Sequence, residues 1–193
     1  AYGAGLRVGE TVSEEMLETL ERKDLLWKAR EAAFNLLSYR ARTESELRQR
    51  LRRKDYPEDV VEECVAELVE KGFVDDEAFA ASFVRDRVRA KPRGVRRLVQ
   101  ELRAKGVESE TAAAVVDRTL DDENVSELDL AREAAEGWAR RALGAGVRAG
   151  ASGRDAPDPW EARRRLYGYL ARRGFGGEVI RTVMDEVLRR GDD

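Results

Sequence analysis

Leu98-Val-Gln-Glu-Leu102-Arg-Ala-Lys-Gly106-Val107 carries two leucines four residues apart, then a glycine and a valine. The four-residue spacing puts both leucines on one face of a helix. Glycine suits the left-handed residue that closes a helix. A second apolar face follows at Thr111-Ala112 and Val115-Val116. The stretch therefore reads as helix, tight turn, helix. The same register recurs upstream at Leu47, Leu51, Tyr56, Val60-Val61 and Cys64-Val65, and downstream at Leu166, Leu170, Phe175, Val179-Ile180 and Val183-Met184. One amphipathic helix is easily matched by chance. Two helices in register across the same turn, three times without a gap, are an internal repeat. The turn residue is Gly106 in the second copy and Gly174 in the third. Asp55 takes its place in the first, where a weaker cap is expected because aspartate tolerates the left-handed region less well.

A further helix precedes each pair. Residues 28–41 bear Ala33, Phe34 and Leu37; residues 75–90 bear Phe79, Phe83, Val84 and Val88; residues 126–143 bear Leu130, Ala134, Trp138 and Leu143. Thr43 with Glu46 has the form of a capping box, and Asp158 with Pro159 and Glu161 combines a cap with proline at the first helical position. Adjacent Asp75 and Asp76 sit at a helix start, where they suit capping and the helix dipole. The expected fold is all-α: an elongated tandem array of three helix-turn-helix-like three-helix units. Unit boundaries fall at 28–72, 73–122 and 123–193, after an N-terminal extension over 1–27. That extension holds a short alternating run, Leu6 and Val8, and a helix capped by Ser13 that runs to about Lys23. Residues 144–157, with four glycines, read as a loop inserted in the third unit.

The composition narrows the function classes. Of 193 residues, 42% are hydrophobic and 39% charged, which suits amphipathic helices with a large solvated surface. There is no histidine, so the usual general base near neutral pH and the commonest metal ligand are missing. The single cysteine, Cys64, lies on an apolar face with Val60, Val61, Val65 and Leu68; one cysteine forms no internal disulfide, and a thiol in such a place is inert. No phosphate-binding loop, dinucleotide fingerprint or zinc spacing occurs. No apolar run approaches the roughly 18 residues of a membrane span, and the start shows no signal-peptide pattern. A cytoplasmic, non-enzymatic monomer without cofactor or membrane association is expected.

The net charge of −3 hides a sorting by helix. Arg40 to Lys54 holds seven Lys or Arg against two acids, Arg85 to Lys105 nine against two, and Arg163 to Arg173 five against none. The last helix of the first unit is acidic, with Glu58, Asp59, Glu62, Glu63, Glu67 and Glu70. Solvated helix faces with i, i+4 pairs are the plain reading. Segregation of sign onto different helices favours a basic stripe instead, suited to phosphate backbones or an acidic protein groove. The candidate contacts are Arg40, Arg42, Arg48, Arg52, Arg53, Arg87, Arg93, Arg96, Arg97, Arg103, Lys105, Arg163, Arg164, Arg172 and Arg173. Arg48, Arg52, Arg96, Arg97, Arg103, Arg163 and Arg164 are expected to stand clear towards a common side. Sequence-specific reading of the major groove is disfavoured, because the helix that would enter it, over 58–71, is acidic and phosphates would repel it.

Four stretches resemble one family. Arg40-Ala-Arg42-Thr43-Glu-Ser-Glu46-Leu47, Gly72-Phe-Val-Asp75-Asp76-Glu-Ala-Phe79-Ala80, Gly94-x-x-Arg97-Leu98-x-x-Glu101-Leu102-x-x-Lys105-Gly106 and Arg172-Arg173-Gly174-Phe175 with Ile180 are similar, in this order, to the signatures of the RecX family, bacterial regulators of the RecA recombinase. The resemblance covers about residues 28–190. It implies an array lying in the groove of the RecA–single-stranded-DNA filament. It also implies inhibition of the ATPase, strand-exchange and co-protease activities of RecA, with weak, salt-sensitive contact to single- or double-stranded DNA. The chain departs from the pattern at Asp55-Tyr56 and in the segment 144–157. Two other readings of the residues stand beside this one: a standalone DNA-binding protein that uses the basic stripe, and an α-repeat scaffold for protein contacts.

Overall fold

The structure, a computed structural model, describes residues 13–148 and 159–189. Among them are nine α-helices and no strand: α1 Glu14–Tyr39, α2 Glu44–Arg52, α3 Glu58–Glu70, α4 Asp76–Ala90, α5 Val95–Arg103, α6 Ser109–Asp122, α7 Glu127–Arg148, α8 Pro159–Arg172 and α9 Gly177–Arg189. The repeat holds position by position. Leu47, Leu98 and Leu166 begin the cores of α2, α5 and α8, and Leu51, Leu102 and Leu170 follow one turn on; all six are buried. The i, i+1, i+4, i+5 stripe is buried in each third helix, as Val60, Val61, Cys64 and Val65, as Ala112, Val115 and Val116, and as Ile180, Val183 and Met184. Each leucine so buried contributes roughly 1.5–3 kcal/mol relative to exposure.

The turns explain the register. Asp55, Gly106 and Gly174 all have positive φ, 62°, 89° and 84°. Asp55 therefore adopts the left-handed conformation that the repeat requires, in place of glycine. Val107 donates its N–H to the Leu102 carbonyl at 3.1 Å, the six-to-one bond of a Schellman closure. The ends of α3 and α6 use the same device at Gly72 and Asn124, with φ of 72° and 53°. Helix starts are capped in kind. Ser13 accepts from Met16 N–H at 3.3 Å, Thr43 from Glu46 N–H at 3.1 Å, and Asp75 from Ala78 N–H at 2.9 Å.

Two boundaries differ from those expected. The extension helix and the first helix of unit one are a single helix, α1, because no glycine or proline interrupts the chain between Ser13 and Tyr39. Helix α7 runs on to Arg148, five residues into the segment assigned to the inserted loop. Two glycines, Gly144 and Gly146, fall within that stretch, each at a cost of about 1 kcal/mol relative to alanine. The run at Leu6 and Val8, the rest of the 144–157 segment and the Asp158 cap lie outside the described residues; Pro159 does open α8.

The chain divides into two compact units, one ending at Phe79 and the other beginning at Ala80. In the first, Leu26, Ala29 and Ala33 of α1 close over α2 and α3, and Val74 completes the core. Cys64 is buried there, and burial pushes its thiol up to about 11, which keeps it protonated and inert. The second unit holds the cores of repeats two and three together. It is joined at one close approach: Gly94, the N-cap of α5, donates its N–H to the Arg173 carbonyl at 3.0 Å. A Cβ at Gly94 would lie 2.3 Å from the Gly174 oxygen, and one at Gly174 would lie 2.5 Å from the Arg97 Cβ. Only glycine fits at either place.

A carboxylate recurs at the helix starts. Asp76, the first residue of α4, accepts from the Glu44 N–H of α2 at 2.9 Å, and Glu127, the first residue of α7, accepts from the Val95 N–H of α5 at 3.0 Å. The separation is 32 residues in both cases. Each first helix thus caps the second helix of the preceding repeat. Burial raises the carboxyl of Asp76 above its ordinary range, against the lowering effect of the Glu44 N–H.

Candidate nucleic-acid interface

The arginines of α2 are answered by carboxylates. Arg48 pairs with Glu62 of α3 and with Glu44, both at 2.9 Å. Burial lowers its affinity for the proton, but the hydrogen bonds to Glu62 and Glu44 outweigh that and raise it. Arg52 pairs with Glu58 and, at 3.2 Å, with Glu62. Arg40 reaches Glu46 at 2.7 Å. Arg42 has a side chain only 10% exposed and donates to the Leu36 carbonyl at 3.1 Å; burial, then the nearby Arg40, lower its pKa. Arg53 is exposed and forms no ion pair among the described residues. On α3, Glu58 and Glu62 therefore answer the bases of α2, while Asp59, Glu63 and Glu67 pair with Arg22 and Arg30 of α1. Arg48 and Arg52 do not stand clear as expected, because Glu58 and Glu62 lie across from them once the helices pack.

Matters differ in the second compact unit. Arg87 of α4, Arg93 of the α4–α5 loop and Arg97 of α5 converge on one carboxylate, Glu101. Glu101 is only 15% exposed, and Arg87 and Arg97 approach it at 3.2 and 2.9 Å. Burial and the positive charge of Arg87, Arg97 and Arg173 lower the pKa of Arg93, the signature of cations crowded together. Arg93, Arg97, Arg172, Arg173 and Lys91 line a cleft of about 400 Å³. Arg173 is held in place by donating to the Pro92 carbonyl at 2.9 Å and by lying 4.7 Å over the Tyr169 ring. The Gly94–Gly174 approach brings the two ends of this cleft together. Lys91 and Arg172 form no ion pair among the described residues.

A second cleft, about 580 Å³, adjoins it through the shared Arg172 and is lined by Trp138, Arg164, Arg165, Tyr167 and Gly168. Arg164 lies 5.8 Å from the Trp160 ring centre, and Arg165 pairs with Glu161 at 2.7 Å. Arg163 pairs instead with Asp185 at 3.2 Å. Of the remaining candidates, Arg96 and Arg103 are exposed without an ion pair among the described residues. Lys105 and Arg87 lie 5.7 and 4.6 Å from the ring centre of Phe83.

The structure thus gathers Arg93, Arg97, Arg172 and Arg173 into one cleft and places Arg164 in the next. Lys91 and Arg165, although within the basic stretches, and Trp138 and Tyr167 were not among the candidates. Trp138 reads as a core residue from its spacing alone, yet it is half-buried at a cleft wall. Tyr167 follows the buried Leu166 on α8, turned to the exposed flank of that apolar face.

Tandem three-helix units, with cation-rich clefts in the second compact unit, define a helical repeat protein. This chain belongs to the RecX family. Family profiles for the first, second and third three-helix domains of RecX match residues 29–68, 75–116 and 126–184. The chain is 39% identical over 162 residues to regulatory protein RecX of Amycolatopsis mediterranei, covering 84% of each. It is 36% identical over 188 residues to that of Corynebacterium efficiens, covering 95% of this chain and 80% of the relative. A crystal structure of regulatory protein RecX superimposes with a TM-score of 0.73 at 26% identity, over 93% of this chain and 81% of the other. No helix among the described residues is long and apolar enough to cross a membrane.

Proposed function

We propose that this chain binds the RecA–single-stranded-DNA filament and inhibits the ATPase, strand-exchange and co-protease activities of RecA. It does so as a cytoplasmic monomer, by attachment and without catalysis of its own. The observation that carries this reading is the Lys91–Arg173 cleft, where cations outnumber the carboxylate among them. A phosphate backbone or an acidic protein surface supplies the missing negative charge. Membership of a family whose members are named regulatory proteins supports the regulatory role. The exposed Arg53, Arg96 and Arg103, and Arg40 and Arg163 after exchange of partners, add peripheral contacts, while Arg48 and Arg52 keep their carboxylates. An exposed ion pair is worth about 0–1 kcal/mol, so attachment depends on several such contacts held in one chain, whose effective concentrations multiply.

Cation-rich clefts alone also suit a standalone DNA-binding protein. RecA ATPase measured on single-stranded DNA, beside direct affinity for naked DNA, separates the two. Filament regulation predicts inhibition at concentrations well below those that coat naked DNA. Inhibition only where the DNA is already coated contradicts it and favours the standalone reading.

A further inference from the structure

The clefts that meet at Arg172 differ in one respect that charge does not explain. The first is lined by cations. The second has aromatic walls, Trp138 from α7 and Tyr167 from α8, and Tyr167 is 48% exposed. An acidic protein surface or a duplex would be satisfied by cations alone. Bases in a duplex are already stacked and offer no face to a side chain; unpaired bases do, and every base has such a face. Residues 160, 164, 167, 168 and 172 recur at helical spacing, so Arg164, Tyr167 and Arg172 share one side of α8 away from its buried leucines. Gly168 lies between them. A Cβ there would stand 3.1 Å from the Arg172 Nη1, so the missing side chain lets that guanidinium lie close along the helix where the two clefts join.

From this juxtaposition we propose a binding site for single-stranded nucleic acid, in which an unpaired base stacks on Tyr167 and Trp138 while the adjoining phosphate enters the Lys91–Arg173 cleft, with Arg172 bridging the two. The site rests on the reading that the chain contacts nucleic acid, and adds to it a preference for unpaired strands and the residues that impose it.

The test uses the full chain and three probes of equal length: oligo(dT), an oligonucleotide with abasic sugars in place of the bases, and a duplex. Affinity is read by anisotropy of a labelled strand. Oligo(dT) should bind about tenfold more tightly than either of the others, the size expected for one stacked base. Tyr167→Ala should remove that advantage while leaving abasic affinity unchanged, and Tyr167→Phe should restore it. Because Tyr167 is exposed, Tyr167→Ala is expected to fold; Trp138→Leu gives a second reading from the other wall. Arg172→Gln should weaken oligo(dT) and abasic strands alike. Equal affinity for the three probes, unmoved by Tyr167→Ala, with RecA inhibition intact, overturns this proposal alone. No affinity for any probe and no RecA inhibition overturns it together with the reading on which it rests.

Discussion

Helix α2 and the cleft around Arg172 both hold a cluster of arginines, and they present them in opposite ways. In α2, Arg48 and Arg52 lie across from Glu44, Glu58 and Glu62, so each guanidinium meets a carboxylate. In the cleft, Arg93 and Arg97 share Glu101 with Arg87 of α4, while Lys91 and Arg172 have no ion-pair partner among the described residues. The first arrangement is satisfied within its own three-helix unit. The second leaves positive charge to be met from outside. A count of arginines along the chain does not separate the two; the positions of the carboxylates on the neighbouring helices do.

The largest expected effect tests what builds the cleft. Gly94→Ala and Gly174→Ala each drive a Cβ into backbone or the stem of Arg97. Chemical denaturation should show a loss of about 3 kcal/mol or more. Gly72→Ala, where a Cβ meets nothing within 4 Å, should cost only about 1 kcal/mol for its positive φ. Equal losses at Gly72 and Gly94 would break the account of the Gly94–Gly174 approach.

Next in size is the split between stability and binding. Arg48→Gln with Arg52→Gln should lower stability slightly, because these ion pairs are largely exposed, and leave DNA affinity within twofold. Arg97→Gln with Arg172→Gln should do the reverse. DNA affinity should fall about tenfold, and the slope of log affinity against log salt should become shallower by roughly one for each phosphate that is no longer neutralised. An unchanged slope would show that the cleft touches no phosphate.

The smallest effect concerns the recurring cap. Burial raises the Asp76 carboxyl, so its folded pKa lies above the unfolded one. The folded state then binds the proton more readily, and stability falls as pH rises from the unfolded value through the folded one. Asp76→Asn keeps an oxygen for the Glu44 N–H and removes the buried charge. It should match or exceed the parent in stability at pH 7 and lose any advantage as pH falls into the ordinary carboxylate range. Asp76→Ala should cost roughly 1 kcal/mol at either pH, the worth of a cap. A loss at pH 7 as large for asparagine as for alanine would show that the charge itself holds α2.

The repeat was legible in the chain because apolar spacing and turn residues are local signals. Leu98, Leu102 and Gly106 announce their elements without reference to anything distant, and even Asp55 takes the conformation its position in the repeat demands. The continuity of α1 was less legible, since a helix that passes from exposed to buried surface changes its pattern without a break. The site was legible as a set of bases and not as a geometry. Glu58 and Glu62 neutralise Arg52 from another helix, Glu127 caps α5 from 32 residues away, and Arg173 meets Pro92 across 81 residues. No local pattern encodes those meetings. Trp138 was hidden for the same reason: helical spacing places it with core residues, and only the packing of α7 against α8 leaves it at a cleft wall.

The central claim is that unanswered charge in the second compact unit, and not the abundance of arginine in α2, attaches this chain to its target. Inhibition of RecA ATPase on single-stranded DNA, titrated with the parent chain, with Arg97→Gln/Arg172→Gln and with Arg48→Gln/Arg52→Gln, tests it most directly once circular dichroism shows all three folded. The account predicts that the cleft variant needs about tenfold more protein for half-inhibition, and that the α2 variant stays within twofold of the parent. The opposite order, with the α2 variant crippled and the cleft variant unaffected, would contradict it.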